Sequence, residues 1–363
     1  LNTVSNTRVT LGGYGEMDFN QPFIDKTRSN ANLDVHRMVL LTGYKFSDNV
    51  SFVTEVEFEH VKEVYIEQAF VNWKLNDYIN FRGGLMLGPM GIVNEYHEPV
   101  TFNGVERPNL DKYIVPTTWR EIGAGFMGNI NEINLKYQVY VFNGFNSYDG
   151  SAKLSGSNGF RSGRQKAAES TMSSPNLAYK IDYYGISGLK IGASGYFGKT
   201  QSTLYDGVLT DDNSALASAD SSVVGLSMLG FDMRYRKNGI EARGQYVLGN
   251  ITNSGQYNSK FGTDLAKSIQ GYYVELGYDL LRLIDKNSTK RLVLFSRYEN
   301  YDTHHKVGNE ITKNKAYNRT EITTGLTYHI ANGVALKGDW QLIQNKATNE
   351  TKKMLNLGIG VWF

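Results

Sequence analysis

The chain closes on Leu355-Asn356-Leu357-Gly358-Ile359-Gly360-Val361-Trp362-Phe363, apolar at every second position with an aromatic side chain last. Successive side chains of a β-strand point to opposite faces, so strict alternation marks a strand with one face against an apolar medium and the other not. Such lettering also suits the last strand of a soluble sandwich. A lipid-facing barrel has the stronger need for it, because an intact closing strand leaves no edge with unpaired amides. The rest of the chain decides between the two.

A length of 363 residues allows one large barrel or two ordinary domains. No run of about eighteen apolar residues, the length a membrane-spanning helix needs, occurs anywhere. Mean hydropathy is negative, but a water-filled barrel has that property too, since only alternate residues meet lipid. The 24 Tyr and 17 Phe suit the aromatic girdles that barrels place at the two membrane interfaces. Thirty-eight Gly against six Pro suits many strands and turns. Cysteine is absent, which excludes disulfides, thiolate metal sites and cysteine nucleophiles. A net charge of +2, with no basic block interleaved with aromatics, gives no expectation of a nucleic-acid partner. The start at Leu1, without Met or an apolar signal segment, suggests the mature form of an exported precursor or a trimmed chain.

Alternating stretches recur along the whole chain. About sixteen are expected as strands, at residues 7–19, 33–47, 50–59, 64–75, 78–88, 119–128, 133–143, 176–184, 188–199, 222–236, 239–249, 268–281, 290–302, 319–330, 333–345 and 352–363. Helical periodicity competes nowhere. The connectors alternate in length, with tight turns at 47–49, 75–77, 129–132, 184–187, 237–238 and 331–332, and long polar loops at 20–32, 89–118, 144–175, 200–221, 251–267 and 303–318. Two fit less cleanly: 60–63 is short among the long ones, and 282–289 is long among the short ones. Short turns at one end and long loops at the other describe an outer-membrane barrel. The expected fold is therefore all-β, a transmembrane antiparallel β-barrel of about sixteen strands, with residues 1–363 as one domain.

After the fifth strand come Gly88-Pro89-Met90-Gly91-Ile92-Val93-Asn94-Glu95-Tyr96-His97-Glu98-Pro99, Phe102-Asn103-Gly104-Val105-Glu106-Arg107-Pro108, and Asp111-Lys112 up to Pro116-Thr117-Thr118-Trp119. Four of the six prolines lie here. Proline fixes φ and cannot join a ladder, so this is a shaped loop. We expect 89–118 to fold inward as a constriction loop carrying Glu95, His97, Glu98, Glu106, Arg107, Asp111 and Lys112. The alternative is a rigid external loop that shields the mouth.

These segments, together with Gly12-Gly13-Tyr14-Gly15-Glu16 and Thr117-Thr118-Trp119-Arg120-Glu121-Ile122-Gly123, resemble outer-membrane porins of Bacteroidetes-type bacteria, grouped with the phosphate-selective porin O and P family. The specific likeness covers roughly the first third of the chain. It implies a sixteen-stranded porin with an inward constriction loop, often a trimer. Phosphate selectivity in that family depends on basic residues at the constriction. Here Glu95, Glu98, Glu106 and Asp111 stand against Arg107 and Lys112, so anion selectivity does not carry over.

Strand parity gives the walls. If Met38, Leu40 and Thr42 face lipid, Arg37 faces the lumen; if Ile79, Phe81 and Leu85 face lipid, Arg82 faces inward. Glu55 and Glu57 oppose Phe52, Val56 and Phe58, and Arg243, Arg297 and Lys337 mix with Asp232, Glu241, Glu299 and Asp339. Lys or Arg at the lipid midplane costs about 2–4 kcal/mol, which makes the charged positions the firmest guides. Acids of the loop are expected to oppose Arg37 and Arg82. Trp362 and Phe363 are expected to act as the assembly signal read by the barrel assembly machinery.

Gly12-Gly13-Tyr14-Gly15 is no nucleotide loop, since no helix follows and no Lys-Ser or Lys-Thr closes it. Glu95, His97 and Glu98, and the pair His304-His305, lack metal-site spacing on a regular element, and His329 with Ser296 does not make a nucleophile site. No catalytic or metal residues are assigned and no cofactor is expected. The function expected is a porin of the Gram-negative outer membrane, a passive channel for ions and small hydrophilic solutes, in contact with lipid and lipopolysaccharide. A membrane-embedded barrel enzyme of esterase or phospholipase type, and a non-conducting barrel subunit of an envelope complex, stay open.

Overall fold

Lys352–Trp362 runs antiparallel to Val9–Phe23, from Trp362 against Tyr14 to Lys353 against Phe23. That pairing seals a sheet which would otherwise have two edges. In this computed structural model, residues 8–24, 27–348 and 350–363 are described, and residue 7, expected to begin the first strand, lies outside them. The strands in chain order are β1 (Val9–Phe23), β2 (Asn32–Lys45), β3 (Val50–Glu59), β4 (Glu63–Lys74), β5 (Asn80–Leu87), β6 (Arg120–Ile130), β7 (Leu135–Phe142), β8 (Asn146–Tyr148), β9 (Asn176–Ile186), β10 (Leu189–Lys199), β11 (Gln201–Ser202), β12 (Gly225–Lys237), β13 (Ile240–Thr252), β14 (Ser268–Asp279), β15 (Arg291–Lys306), β16 (Asn318–Ala331), β17 (Val334–Asn345) and β18 (Lys352–Trp362). All except β8 and β11 form one closed barrel of sixteen antiparallel strands, each beside its sequence neighbours and β1 beside β18.

The faces are inverted relative to a soluble protein. Outward positions carry exposed apolar residues, including Met38, Leu40, Phe58, Ile122, Val139, Ile181, Phe231, Leu276, Leu326 and Ile359. Inward positions bury Arg37, Glu57, Lys180, Asp232, Glu275, Arg297, Glu299, Glu321 and Asp339. Exposed rings such as Tyr44, Phe46, Trp73 and Tyr78 cluster by the short turns, and the Phe23–Trp340 pair, 5.3 Å between centroids, lies toward the other end. Such a belt is satisfied by lipid.

The turns at one end are short except for 280–290, and the connections at the other are longer except for 60–62 and the six residues 346–351. The β6–β7 turn falls at 131–134, two residues later than the sequence pattern places it, because Asn134 takes the left-handed φ (53°) that closes it. The long loops hold three helices that periodicity does not reveal: α1 (Leu110–Tyr113), α2 (Asn213–Asp220) and α3 (Ser254–Phe261). Four to eight residues are too few for a repeating apolar stripe. A side-chain cap sets α2, where Asp212 accepts from the amides of Ser214 and Ala215, whereas Asn109 and Asn253 give α1 and α3 no such cap. Buried Trp119, Phe145, Phe160, Tyr196 and Tyr257 pack the long loops together.

Candidate functional site

The proline-rich segment 88–119 is tied shut at its base and stretched across the inner wall. Gly88 donates to the Trp119 carbonyl at 2.9 Å. Asn94 braces the same junction, its Nδ2 donating to the carbonyls of Gly88 (2.7 Å) and Trp119 (3.0 Å) and its Oδ1 accepting from the Trp119 amide (2.8 Å). Beyond that base, backbone amides reach side chains of the wall. Ile92 donates to Gln245 on β13 (2.8 Å), Val105 to Asp339 on β17 (2.7 Å) and Leu110 to Glu299 on β15 (3.2 Å). Proline and left-handed glycine keep these amides out of any regular ladder. At Gly91 (φ +68°) a Cβ would meet the Gln245 amide at 2.6 Å, so only glycine lets the chain pass.

His97 points to the opposite wall. Its Nδ1 donates to the Asn94 carbonyl (3.1 Å), and its Nε2 stands 2.8 Å from Tyr14 Oη and 3.2 Å from Glu67 Oε1. The Tyr14 hydroxyl donates to Glu67 Oε2 at 3.0 Å. Burial pulls the imidazole down, but the Glu67 carboxylate outweighs it and holds His97 above the ordinary histidine value. Glu95 accepts from Gln138 (2.7 Å) and pairs with Lys180 (3.2 Å), which also contacts Asp232 (3.5 Å). Burial favours neutral Glu95, yet Lys180 and Lys136 prevail and hold it at about 2.

Glu106 accepts from Asn20 at 3.0 Å, and burial together with Glu16 raises its pKa. Burial and neighbouring Arg37 lower that of Arg107. Asp111 accepts from Gln245 (2.9 Å), and burial pushes it up to about 7. Glu98 presents a buried Oε2 without a partner, and Lys112 is exposed.

The expected wall residues are inward, with different partners from those expected. Arg37 engages Glu16 (3.3 Å) and Glu57 (3.5 Å), and Arg82 engages Asn72 (2.8 Å) and the Phe70 ring, instead of the acids of the loop. Neighbouring strands supply closer partners for both, the acids Glu16 and Glu57 for Arg37 and an amide and a ring on β4 for Arg82. Glu55 accepts from Gln68 at 2.9 Å. Arg243 donates to the Thr101 carbonyl and pairs with Glu275 (3.1 Å), and Arg297 pairs with Glu299 (2.9 Å) while reaching the Glu106 carbonyl (3.2 Å). Lys337 Nζ lies 3.8 Å above the Phe102 ring. Trp362 and Phe363 sit at the short-turn rim, where Phe363 exchanges two backbone hydrogen bonds with Gly13 (2.9 and 3.0 Å). There a cavity of about 1410 Å³ opens, lined by Arg234, Arg236, Glu241, Arg243 and Arg291 and roofed by Thr101 and Phe102.

Sequence reading missed Glu67, because a bulge breaks parity there. Glu55 pairs with Gln68 and Val56 with Ile66, leaving Glu67 as the extra residue, turned inward and buried. Tyr14 was legible only as part of a glycine motif. Asp34, His36 and His60 also converge, with ligand atoms within 4.8 Å of one another. His304 is instead held structurally by the Asp264 carbonyl (2.5 Å) and the Asn314 amide (3.1 Å), and Ser296 faces outward, away from His329.

A search against family models finds no match. A protein of Aquifex aeolicus named only as uncharacterized is 31% identical over 343 residues, covering 92% of this chain and 75% of its own. Among solved structures, the anion-selective porin from Comamonas acidovorans is similar at TM-score 0.62 and 12% identity, covering 98% of this chain and 99% of that one. The outer-membrane channel DcaP of Acinetobacter baumannii is similar at TM-score 0.61 and 13% identity over 98% and 97% of the two chains. OmpF of Salmonella typhi is similar at TM-score 0.58 and 12% identity over the same shares. The fold is that of sixteen-stranded outer-membrane channels.

Proposed function

This chain belongs to the same family as the Aquifex aeolicus protein, and we propose that it is an outer-membrane porin, a passive diffusion channel for ions and small hydrophilic solutes, with residues 89–118 as its constriction. The observation that carries this reading is the bracing of that segment against charged side chains on the inward face, inside an apolar outer belt. In this reading the constriction is a ring of opposed charges that favours polar solutes and only weakly sorts ions. Within the porins, the motifs at Gly12–Glu16 and Gly88–Pro99 favour kinship with the O and P type. A homotrimer, contact with lipopolysaccharide and assembly through Trp362 and Phe363 belong to the same proposal.

Planar-bilayer recording with the purified protein tests it. Stepwise ohmic conductance on insertion is expected; well-inserted protein under an intact, tight bilayer overturns it. Hydrolysis of ester or lipid lost on replacing a serine would instead establish the barrel enzyme.

A further inference from the structure

We propose that Asp34, His36 and His60, with Asp18 as a fourth donor, form a binding site for a first-row divalent cation of the Zn2+ class at the long-loop mouth of the barrel. His36 Nδ1 lies 3.7 Å from Asp18 Oδ2 and 3.9 Å from Asp34 Oδ2. Asp34 Oδ2 is in direct contact with His60 Nδ1, and Glu59 stands behind that ring, 4.0 Å from Nε2. Two adjacent donors on tetrahedral zinc are separated by about 3.3 Å, given metal–ligand bonds near 2.0–2.1 Å. Asp34, His36 and His60 are therefore within small side-chain rotations of that geometry, with Asp18 adjoining the group at His36, and His60 is half-exposed on its turn and free to make them.

Two departures from regular strand geometry build the site. Between Glu16 and Asp18 the β1–β2 register shifts, so that Glu16 faces Arg37 while Asp18 faces Asp34, and the extra residue on β2 lets Asp34, His36 and Arg37 all avoid the lipid face. Bulges commonly re-aim side chains in this way. His60 holds a left-handed φ of +53°, with its amide on the His36 carbonyl at 3.2 Å, which sets its ring edge-on to that of His36 at 5.4 Å.

The two carboxylates suit a cation, although Arg37 and Arg107 also bear on His36 from nearby. Among the described residues, Asp18 and Asp34 form ion pairs only with these histidines. The nearest guanidinium on β2, Arg37, is taken up by Glu16 and Glu57. Two imidazoles beside two carboxylates, with no thiolate, select zinc, nickel or copper over the all-oxygen coordination of magnesium or calcium.

Calorimetric titration of Zn2+ into the refolded full chain in detergent micelles tests the site, with Mg2+ as the comparison. A single Zn2+ per chain is expected, with negligible Mg2+ uptake. His36→Gln and His60→Asn should each weaken Zn2+ binding by more than about tenfold, or 1.4 kcal/mol. Asparagine tolerates the left-handed backbone at 60, so that variant keeps the test decisive if the substitution at 36 prevents folding, as judged by heat-modifiable gel migration. Absence of Zn2+ uptake by the intact chain, unchanged uptake in the variants, or equal uptake of Mg2+ each overturns the proposal.

Discussion

His97 and Glu67 meet 3.2 Å apart inside the barrel, a histidine from the proline-rich segment against a carboxylate that a one-residue bulge turns inward from β4. Neither group is exposed, and each satisfies the other's charge. Removing one member of such a buried pair strands its partner, at a cost of about 3–5 kcal/mol. Glu67→Gln should therefore destabilise the protein by that order in urea unfolding from micelles. Tyr14→Phe, which removes one hydrogen bond to the same carboxylate, should cost only about 0.5–1.5 kcal/mol. Equal costs would show that the pair carries no charge.

The pH dependence follows from two groups of the segment. His97 has a folded pKa above the ordinary value, so its contribution is complete below about 6.5 and is lost as pH rises through the folded value. Asp111 binds its proton up to about 7 when folded against 3.8 ordinarily, so the folded state also loses stability as pH climbs between those values. Glu95 acts in the opposite sense, but only as pH falls below about 4.5. Amide exchange at residues 110–115 should accelerate between pH 5 and 8 beyond its intrinsic base catalysis. His97→Gln combined with Asp111→Asn should flatten the residual slope.

Ion preference should respond to local charge. At about 7 Å and an effective dielectric near 20, one unpaired charge changes an ion's energy by roughly 2 kcal/mol. Replacing Glu95, Glu98 and Glu106 together by Gln should shift reversal potentials toward anions. Neutralising Glu310, exposed in the loop between β15 and β16, should not. Unchanged selectivity in both variants would place the constriction elsewhere.

Gly91 tests the anchoring itself. Gly91→Ala meets both a left-handed φ and the Gln245 side chain, whereas Gly207→Ala meets a similar φ (+72°) with nothing within 4 Å. Backbone strain alone costs about 1–3 kcal/mol at either position. The substitution at 91 should lower the thermal midpoint further and broaden single-channel current noise. Equal effects would mean that the Gln245 contact contributes nothing.

Deleting Phe363 removes two backbone hydrogen bonds to Gly13, a loss of about 1–3 kcal/mol, while the ten pairs from Tyr14–Trp362 to Phe23–Lys353 survive. Surface abundance in cells should fall much more than the refolded barrel's stability does. Equal abundance of the truncated and intact chains would remove the assembly role.

What the sequence made legible rested on period two. Sixteen strands, the alternation of connector lengths and the inward aim of Arg37, Glu57 and Arg297 all follow from alternation, which lipid enforces on one face. The prolines marked residues 89–118 as a shaped loop. Glu67 and the Asp34–His36–His60 group were not legible, because a bulge or a left-handed turn shifts parity without leaving a mark on composition. Arg37 and Arg82 failed as partners of the loop acids for a related reason: their actual partners come from adjacent strands, whose register no single-strand pattern contains.

The anchors of segment 88–119 come from both ends of the chain, Tyr14 on β1 for His97 and Asp339 on β17 for Val105. The full set of its contacts therefore exists only when β1 and β17 are both in place, which ties the seating of this segment to the closure of the barrel.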